Sequence, residues 1–316
     1  MSLESYIQKF NNLRVNTSNG TASPHKICML LAFLDLARAG GLGENKIFFG
    51  PALLERYEEY FAAVKTARDH SNPYFPFFHL QGSLRTNEQS FWHLTPLPGR
   101  EVVLESMTTA TSYRAITDNV AWAFVDEELF QLLQDEANID TLANALAVKW
   151  FDRGLDDLKS VAEKGKAISH YERQIRGLTL STQGAREQPR AIRDPAFRRV
   201  VLEIYDYKCA ATGRRLVLQG GKALVQAAHI IPHAVSADDD PRNGLALTPD
   251  MHWAMDNNLI APGPDFKWHV SQDQLDDRES NHEFLRSLEG RSLLLPGEPR
   301  MYPRKDALEW RLKNLR

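Results

Sequence analysis

Four residues in the last third of the chain have the types and spacing that hydrolysis of a phosphodiester requires: His229, Asn243, His252 and Asp256. That chemistry needs a base to deprotonate water, a divalent cation to hold the phosphate and steady the leaving oxygen, and a group to fix the base. Neutral imidazole accepts a proton near pH 7, which makes His229 the candidate base. Asn243 can hydrogen-bond backbone across a turn and hold its loop in register. His252 and Asp256 stand four apart, so on a helix they share one face and can offer a nitrogen and an oxygen to one cation.

The surrounding elements can be read from the same stretch. Residues 215–219 and 223–227 are β-prone runs on either side of Gly220-Gly221, a dipeptide suited to a tight hairpin turn. His229 follows, then the polar loop SADDDPRNG, then Thr248-Pro249-Asp250, which reads as a helix cap, a first-turn proline and an acid on the positive helix end. Leu247, Met251, Met255 and Leu259 recur every four residues and form the buried ridge of that helix. Hairpin, loop and helix therefore make a ββα unit. His233, after Pro232, is either a further ligand or an ordinary surface histidine. Trp268 and His269, on the run FKWHVS, read as packing residues.

This stretch resembles an HNH endonuclease domain of the subgroup that reads F..V...Y...C..TG, AAHI.P, NGL.L and H...D. The chain supplies Phe197, Tyr205, Cys209, Thr212-Gly213, Ala227-Ala228-His229-Ile230, Pro232, Asn243-Gly244-Leu245, Leu247, His252 and Asp256 in that order. The resemblance implies a ββα-metal fold with His229 as general base, Asn243 as the structural asparagine, and His252 and Asp256 as metal ligands. Many such domains carry Asp, Glu or His immediately before the base, where this chain has Ala228. The implied cofactor is thus a water-rich Mg²⁺ or Mn²⁺ held by two side chains, waters and the phosphate. A reversion of Ala228 to Asp is the natural test of that departure. With only Cys28 and Cys209 in the sequence, no four-cysteine structural zinc is expected.

At 316 residues, 43% hydrophobic and 25% charged, the chain is long enough for two domains. No apolar run reaches the length of a membrane span, the first residues, MSLESYIQKFNNLR, do not read as a signal peptide, and a cytoplasmic protein is expected. The net charge of -3 hides an asymmetry: residues 149–215 carry 15 Lys and Arg against 9 Asp and Glu, which leaves +6 there and -9 elsewhere. A local positive face beside the nuclease stretch suits double-stranded DNA. Arg186, Arg190, Arg193, Arg198 and Arg199 cluster where a helix capped by Asp194-Pro195 is expected to begin.

The first half reads as a separate, mostly helical unit. Ser23-Pro24 opens the apolar helix HKICMLLAFLDLARAG, which Gly40-Gly41 ends, and Pro51 opens a second helix through Arg68. The aromatic run NPYFPFFHL, Phe91 to Leu94 and Val102 to Leu104 read as β-prone; 126–136 and 140–151 read as helices, the second capped by Asp140. A helix over 156–176 and a Gly/Ser/Thr-rich linker over 177–190 follow. The segment RVNTSNGTASPHKICMLLAFLDL with the downstream YFPFFHL and FWHL resembles the sulfur-binding domain that precedes HNH domains in restriction endonucleases of phosphorothioate-modified DNA. It implies cationic donors around a small apolar cup, with Arg14, His25 and Lys26 as candidate donors and Pro24, Tyr74, Pro76 or Phe77 as candidate walls.

The whole chain is then α+β, with a modification-reading domain over 1–152, a helical bridge and linker over 153–190, and a nuclease domain over 191–316. The expected function is a modification-dependent restriction endonuclease, acting as a homodimer on modified double-stranded DNA. Two alternatives stay open: a reader of methylated or hydroxymethylated cytosine that stacks an extruded base on Trp92, Tyr74 or Phe91, and a DNA-binding module whose nuclease fold is inactive.

Overall fold

Ser2 caps the first helix, α1 (Leu3–Asn11), and the short hairpin β1 (Thr17–Ser18) with β2 (Thr21–Ala22) leads to α2 (His25–Arg38) in the computed structural model. The structure describes residues 2–18, 21–82, 84–150, 155–178, 188–272 and 283–315. Two compact units emerge: Met1–His170 with Gln219–Lys222, and Tyr171–Leu218 with Ala223–Arg316. Every residue of α2 from Ile27 to Arg38 is buried, as its unbroken apolar run requires. Gly40, at φ 71°, ends it, with the Gly40 and Gly41 amides bonding back to the Ala37 and Leu36 carbonyls.

The first unit continues through α3 (Pro51–Val64), α4 (Tyr74–His79), β3 (Trp92–Pro96), α5 (Glu101–Ser106), α6 (Tyr113–Thr117), β4 (Val120–Val125), α7 (Glu127–Leu132) and α8 (Glu136–Trp150). Strands β3 and β4 pair antiparallel, with Trp92 opposite Val125. Trp92 meets Phe33 and Phe77 edge to face at ring distances of 5.6 Å, in the unit's core.

Several sequence expectations change here. The run NPYFPFFHL is helical, not extended, because Pro73 sits just before the first turn and only Pro76 lies inside it. Val102 to Leu104 lie in α5, with Val102 exposed; the partner of β3 is Val120–Val125, which the local pattern did not reveal. The second helix stops at Val64 rather than Arg68. Asp140 does not cap α8: Asp135 accepts a hydrogen bond from the Ala137 amide, and Asp140 lies inside, paired with Arg38 and Lys166. Ser23 caps nothing, since its hydroxyl is engaged by the His25 ring.

Helix α9 (Leu155–Arg176) runs through the division at His170 and Tyr171. Most of the expected linker, residues 179–187, and Arg186 with it, lies outside the described residues.

The second unit holds α10 (Arg190–Ile204), β5 (Gln226–His229), α11 (His233–Ser236), β6 (Gly244–Leu247), α12 (Pro249–Asp256), β7 (Ile260–Pro262), β8 (Trp268–Val270), α13 (Glu283–Arg286) and α14 (Lys305–Lys313). Helix α10 starts before Asp194-Pro195, which lie inside it; Asp194 pairs with Arg190 and Arg193 instead of capping. Gly220 and Gly221 do turn at φ 91° and 87°, but the runs they join meet only at the bridge Val217–Ala223. The ladder of the ββα unit is β5 with β6, which pairs His229 with Gly244 across the SADDDPRNG loop. A Cβ at Gly244 would lie 2.6 Å from Val201 and 2.8 Å from Phe197, so glycine is what lets α10 pack this close to the ladder.

Candidate active site

The second unit gathers its chemistry at the end of β5. Strand alternation points Ala227 and His229 into a cavity of about 700 Å³, lined also by Gln226, His233, His252 and Arg193, and turns Ala228 into the core opposite Leu245. Ala228 shares its strand face with Gln226, whose carboxamide oxygen lies 3.0 Å from His252 Nδ1, so an acid at position 228 would stand on the face that meets His252.

His229 is held from three sides. Its ring stacks on Phe197 at 3.9 Å and 5°, in the space that Gly244 leaves. Its Nε2 lies 3.0 Å from Asp239 Oδ1, and Arg311 of α14 donates to the carbonyls of His229 at 3.3 Å and Ile230 at 2.7 Å. Asp239 is fully buried and also meets Tyr171 Oη at 3.0 Å and Arg193 at 3.3 Å. Burial pushes its carboxyl up, but the His229 hydrogen bond, the Arg193 and His229 charges and the Tyr171 hydroxyl outweigh this and hold it below the usual range. An ionised carboxylate can only accept, so the proton sits on Nε2 and the Nδ1 lone pair is the basic one.

Asn243 is buried and accepts from the Ile231 amide at 2.9 Å while donating to the Ile231 and Asp238 carbonyls, each at 3.1 Å. Its carboxamide thus ties the loop to the strand end. The flanking acids are clamped too: Asp238 by Arg304, and Asp240 by Arg242 and Arg304.

Thr248 and Pro249 start α12 as the pattern indicates, but the Thr248 side chain does not cap it; it is buried beside Cys209 Sγ, which accepts from the Thr248 amide at 3.4 Å. His252 and Asp256 come together, with Nε2 3.3 Å from Oδ2. His252 Nδ1 lies 3.0 Å from the Gln226 carboxamide oxygen, so Nε2 is the nitrogen that faces Asp256 and could share a cation with it. That one-nitrogen, one-carboxylate set fits a water-rich divalent cation; no cluster of three or more His, Cys, Asp or Glu suited to a metal occurs among the described residues. Burial lowers the His252 pKa, an effect the Asp256 charge opposes. His233 lines the same cavity with Nε2 4.0 Å from Asp239 Oδ1; burial holds its pKa down.

Of the arginines expected near the nuclease, Arg190, Arg193 and Arg198 line the cavity, whereas Arg199 is buried against Glu172 at 2.8 Å. Trp268 is buried in β8 and donates to the Ala210 carbonyl. Sequence reasoning missed Asp239, Tyr171 and Arg311. The Asp-Asp-Asp run marked the loop as polar but did not say which acid turns inward.

In the first unit, Arg14, His25 and Lys26 line one pocket of about 300 Å³, together with Phe75 and His79. Helical spacing is what changes the wall. Tyr74 and Pro76 share a face of a strand, but on α4 the residues that share one are Phe75 and His79, whose rings are 4.2 Å apart. Tyr74 instead bonds Asn72 and packs on Tyr113; Pro24, Pro76 and Phe77 are buried. His25 has both nitrogens engaged, by Ser23 and the His70 carbonyl, and Arg14 reaches Leu84 and Asn87. Lys26 has no hydrogen-bond or ion-pair partner among the described residues; burial and the nearby Arg14 lower its pKa to about 8. Phe91 and Trp92 are fully buried, so neither can stack an extruded base.

No helix among the described residues is long and apolar enough to cross a membrane. No curated protein matches the chain. One similar solved structure is a "Modification dependent TagI restriction endonuclease", at 20% identity and TM-score 0.30, over 41% of this chain and 40% of that one. The family profile HNH_2, described as HNH endonuclease, matches residues 209–261, a span that contains His229, Asn243, His252 and Asp256. Residues 209–261 are an HNH endonuclease domain.

Proposed function

We propose that this chain is a modification-dependent restriction endonuclease: the first unit reads phosphorothioate-modified DNA, and the second hydrolyses phosphodiester bonds with His229 as base and Mg²⁺ or Mn²⁺ at His252 and Asp256. The observation that carries the nuclease part is the convergence of His229 and His252, the latter 3.3 Å from Asp256, on one cavity lined by Arg190, Arg193 and Arg198. His229 Nδ1 takes a proton from water as the water oxygen bonds to phosphorus; the ester P–O bond breaks and the leaving alkoxide takes a proton from solvent. The ionised Asp239 stabilises the imidazolium so formed. A divalent cation, when bound, supplies charge neutralisation at the phosphate. Arg190, Arg193 and Arg198 give the cavity its attraction for the DNA backbone.

The reader part is supported by Lys26, without an ion-pair partner among the described residues, and Arg14, which line one pocket with Phe75. Sulfur in place of a non-bridging oxygen keeps the charge and adds a larger, softer, less hydrated corner, which matches cations next to an aromatic wall. A single nuclease centre per chain makes a homodimer the economical way to cut both strands.

Calorimetric titration with Mn²⁺ tests the cation pair. Wild type is expected to bind, and Asp256→Asn to lose about 10-fold or more in affinity. Unchanged Mn²⁺ affinity in Asp256→Asn would remove this pair from the mechanism.

A further inference from the structure

Asp239 is buried behind His229 and Arg193 of the second unit's cavity wall, and its carboxylate accepts from three side chains. Oδ1 takes His229 Nε2 at 3.0 Å and Arg193 at 3.3 Å; Oδ2 takes Tyr171 Oη at 3.0 Å and Arg193 at 3.5 Å. His233 Nε2, buried and without a hydrogen-bond partner among the described residues, stands 4.0 Å from Oδ1. The loop on either side is fixed independently, by Asn243 on the Asp238 carbonyl and by Arg304 on Asp238 and Asp240. The carboxylate therefore cannot rotate away from His229 without abandoning donors on α9, α10 and β5 at once.

We infer that Asp239, clamped by Tyr171 and Arg193, is the positioning residue of the nuclease centre: it fixes the tautomer and rotamer of His229 so that Nδ1 is the base. This rests on the nuclease reading of His229. Imidazole has two tautomers, and only the one protonated at Nε2 presents a lone pair at Nδ1. Phe197 fixes the plane of the ring, but stacking is indifferent to which nitrogen carries the proton. The choice of nitrogen falls to Asp239. An asparagine there could turn its NH₂ toward Nε2, which would move the ring proton to Nδ1 and occupy the lone pair that must take the proton from water.

The test compares full-length wild type, Asp239→Asn, Tyr171→Phe and His229→Ala in single-turnover and steady-state cleavage of substrate DNA with Mn²⁺, alongside ¹⁵N spectra of the His229 ring. Asp239→Asn is expected to lower kcat about 100-fold with KM within about twofold, and Tyr171→Phe to lower kcat less. In the spectra, wild type should show His229 protonated at Nε2 and Asp239→Asn at Nδ1. A folded Asp239→Asn with wild-type kcat, or a wild-type His229 protonated at Nδ1, would overturn the assignment. If Asp239→Asn fails to fold, the wild-type ¹⁵N spectrum and Tyr171→Phe decide by the same criteria. Loss of cleavage in His229→Ala supports the reading beneath it; wild-type cleavage by His229→Ala would sink that reading whatever Asp239 does.

Discussion

Ala228 and His229 are neighbours on β5 that face opposite ways, and the difference decides what each can do. A carboxylate at 228 would be enclosed beside Leu245, so Ala228→Asp without metal is expected to cost on the order of 3 kcal/mol of stability and, on the face shared with Gln226, to bind Mn²⁺ more tightly than wild type. Urea unfolding and metal titration check both; unchanged stability with Mn²⁺ binding no tighter than wild type would put residue 228 out of reach of the His252–Asp256 pair. Lys26 offers a second residue-scale test. With its pKa lowered to about 8, it is charged below that pH and neutral above it, so affinity for modified DNA should fall as pH rises from 7.5 to 9. Binding favours the charged form and moves the midpoint upward, but not the direction. Lys26→Arg, charged throughout, should flatten the profile; a wild type whose affinity is flat over the same range would take Lys26 out of recognition.

At the scale of elements, α14 holds the base strand from behind. Arg311 satisfies the carbonyls of His229, Ile230 and Met255, so one side chain joins the end of β5 to the end of α12. Arg311→Met removes a donor from the His229 and Ile230 carbonyls, while Met255 keeps the Asn258 amide, and is expected to lower stability by about 2 kcal/mol or more, read by urea unfolding; a loss below about 0.5 kcal/mol would mean that water replaces it. Nothing local in the sequence says that Arg311 reaches strand β5. The same limit explains the other misses. The start of α12 and the end of α2 were legible because Thr-Pro-Asp and Gly-Gly act within one turn. The β5–β6 ladder was not, because its pairing spans a loop and is fixed by the close fit of Gly244 under Phe197. In NPYFPFFHL, β-prone aromatics lost to a helical turn that buries Phe77 and Phe78, and this shifted the pocket wall from Tyr74 and Pro76 to Phe75 and His79.

At the scale of the molecule, each unit has its own core and its own candidate site: a cation-bearing pocket in the first and the HNH centre in the second. The four residues that opened the sequence reading were legible because their order is specific; their supports, Asp239 and Tyr171, come from distant segments and became visible only with the fold. The central claim is that cutting by the second unit depends on a mark read by the first. Identical plasmids with and without phosphorothioate linkages, incubated with Mg²⁺ or Mn²⁺ and either wild type or His229→Ala, test it most directly. Cutting confined to the modified plasmid and abolished by His229→Ala is expected; equal cutting of both plasmids by wild type would separate the nuclease from any such mark.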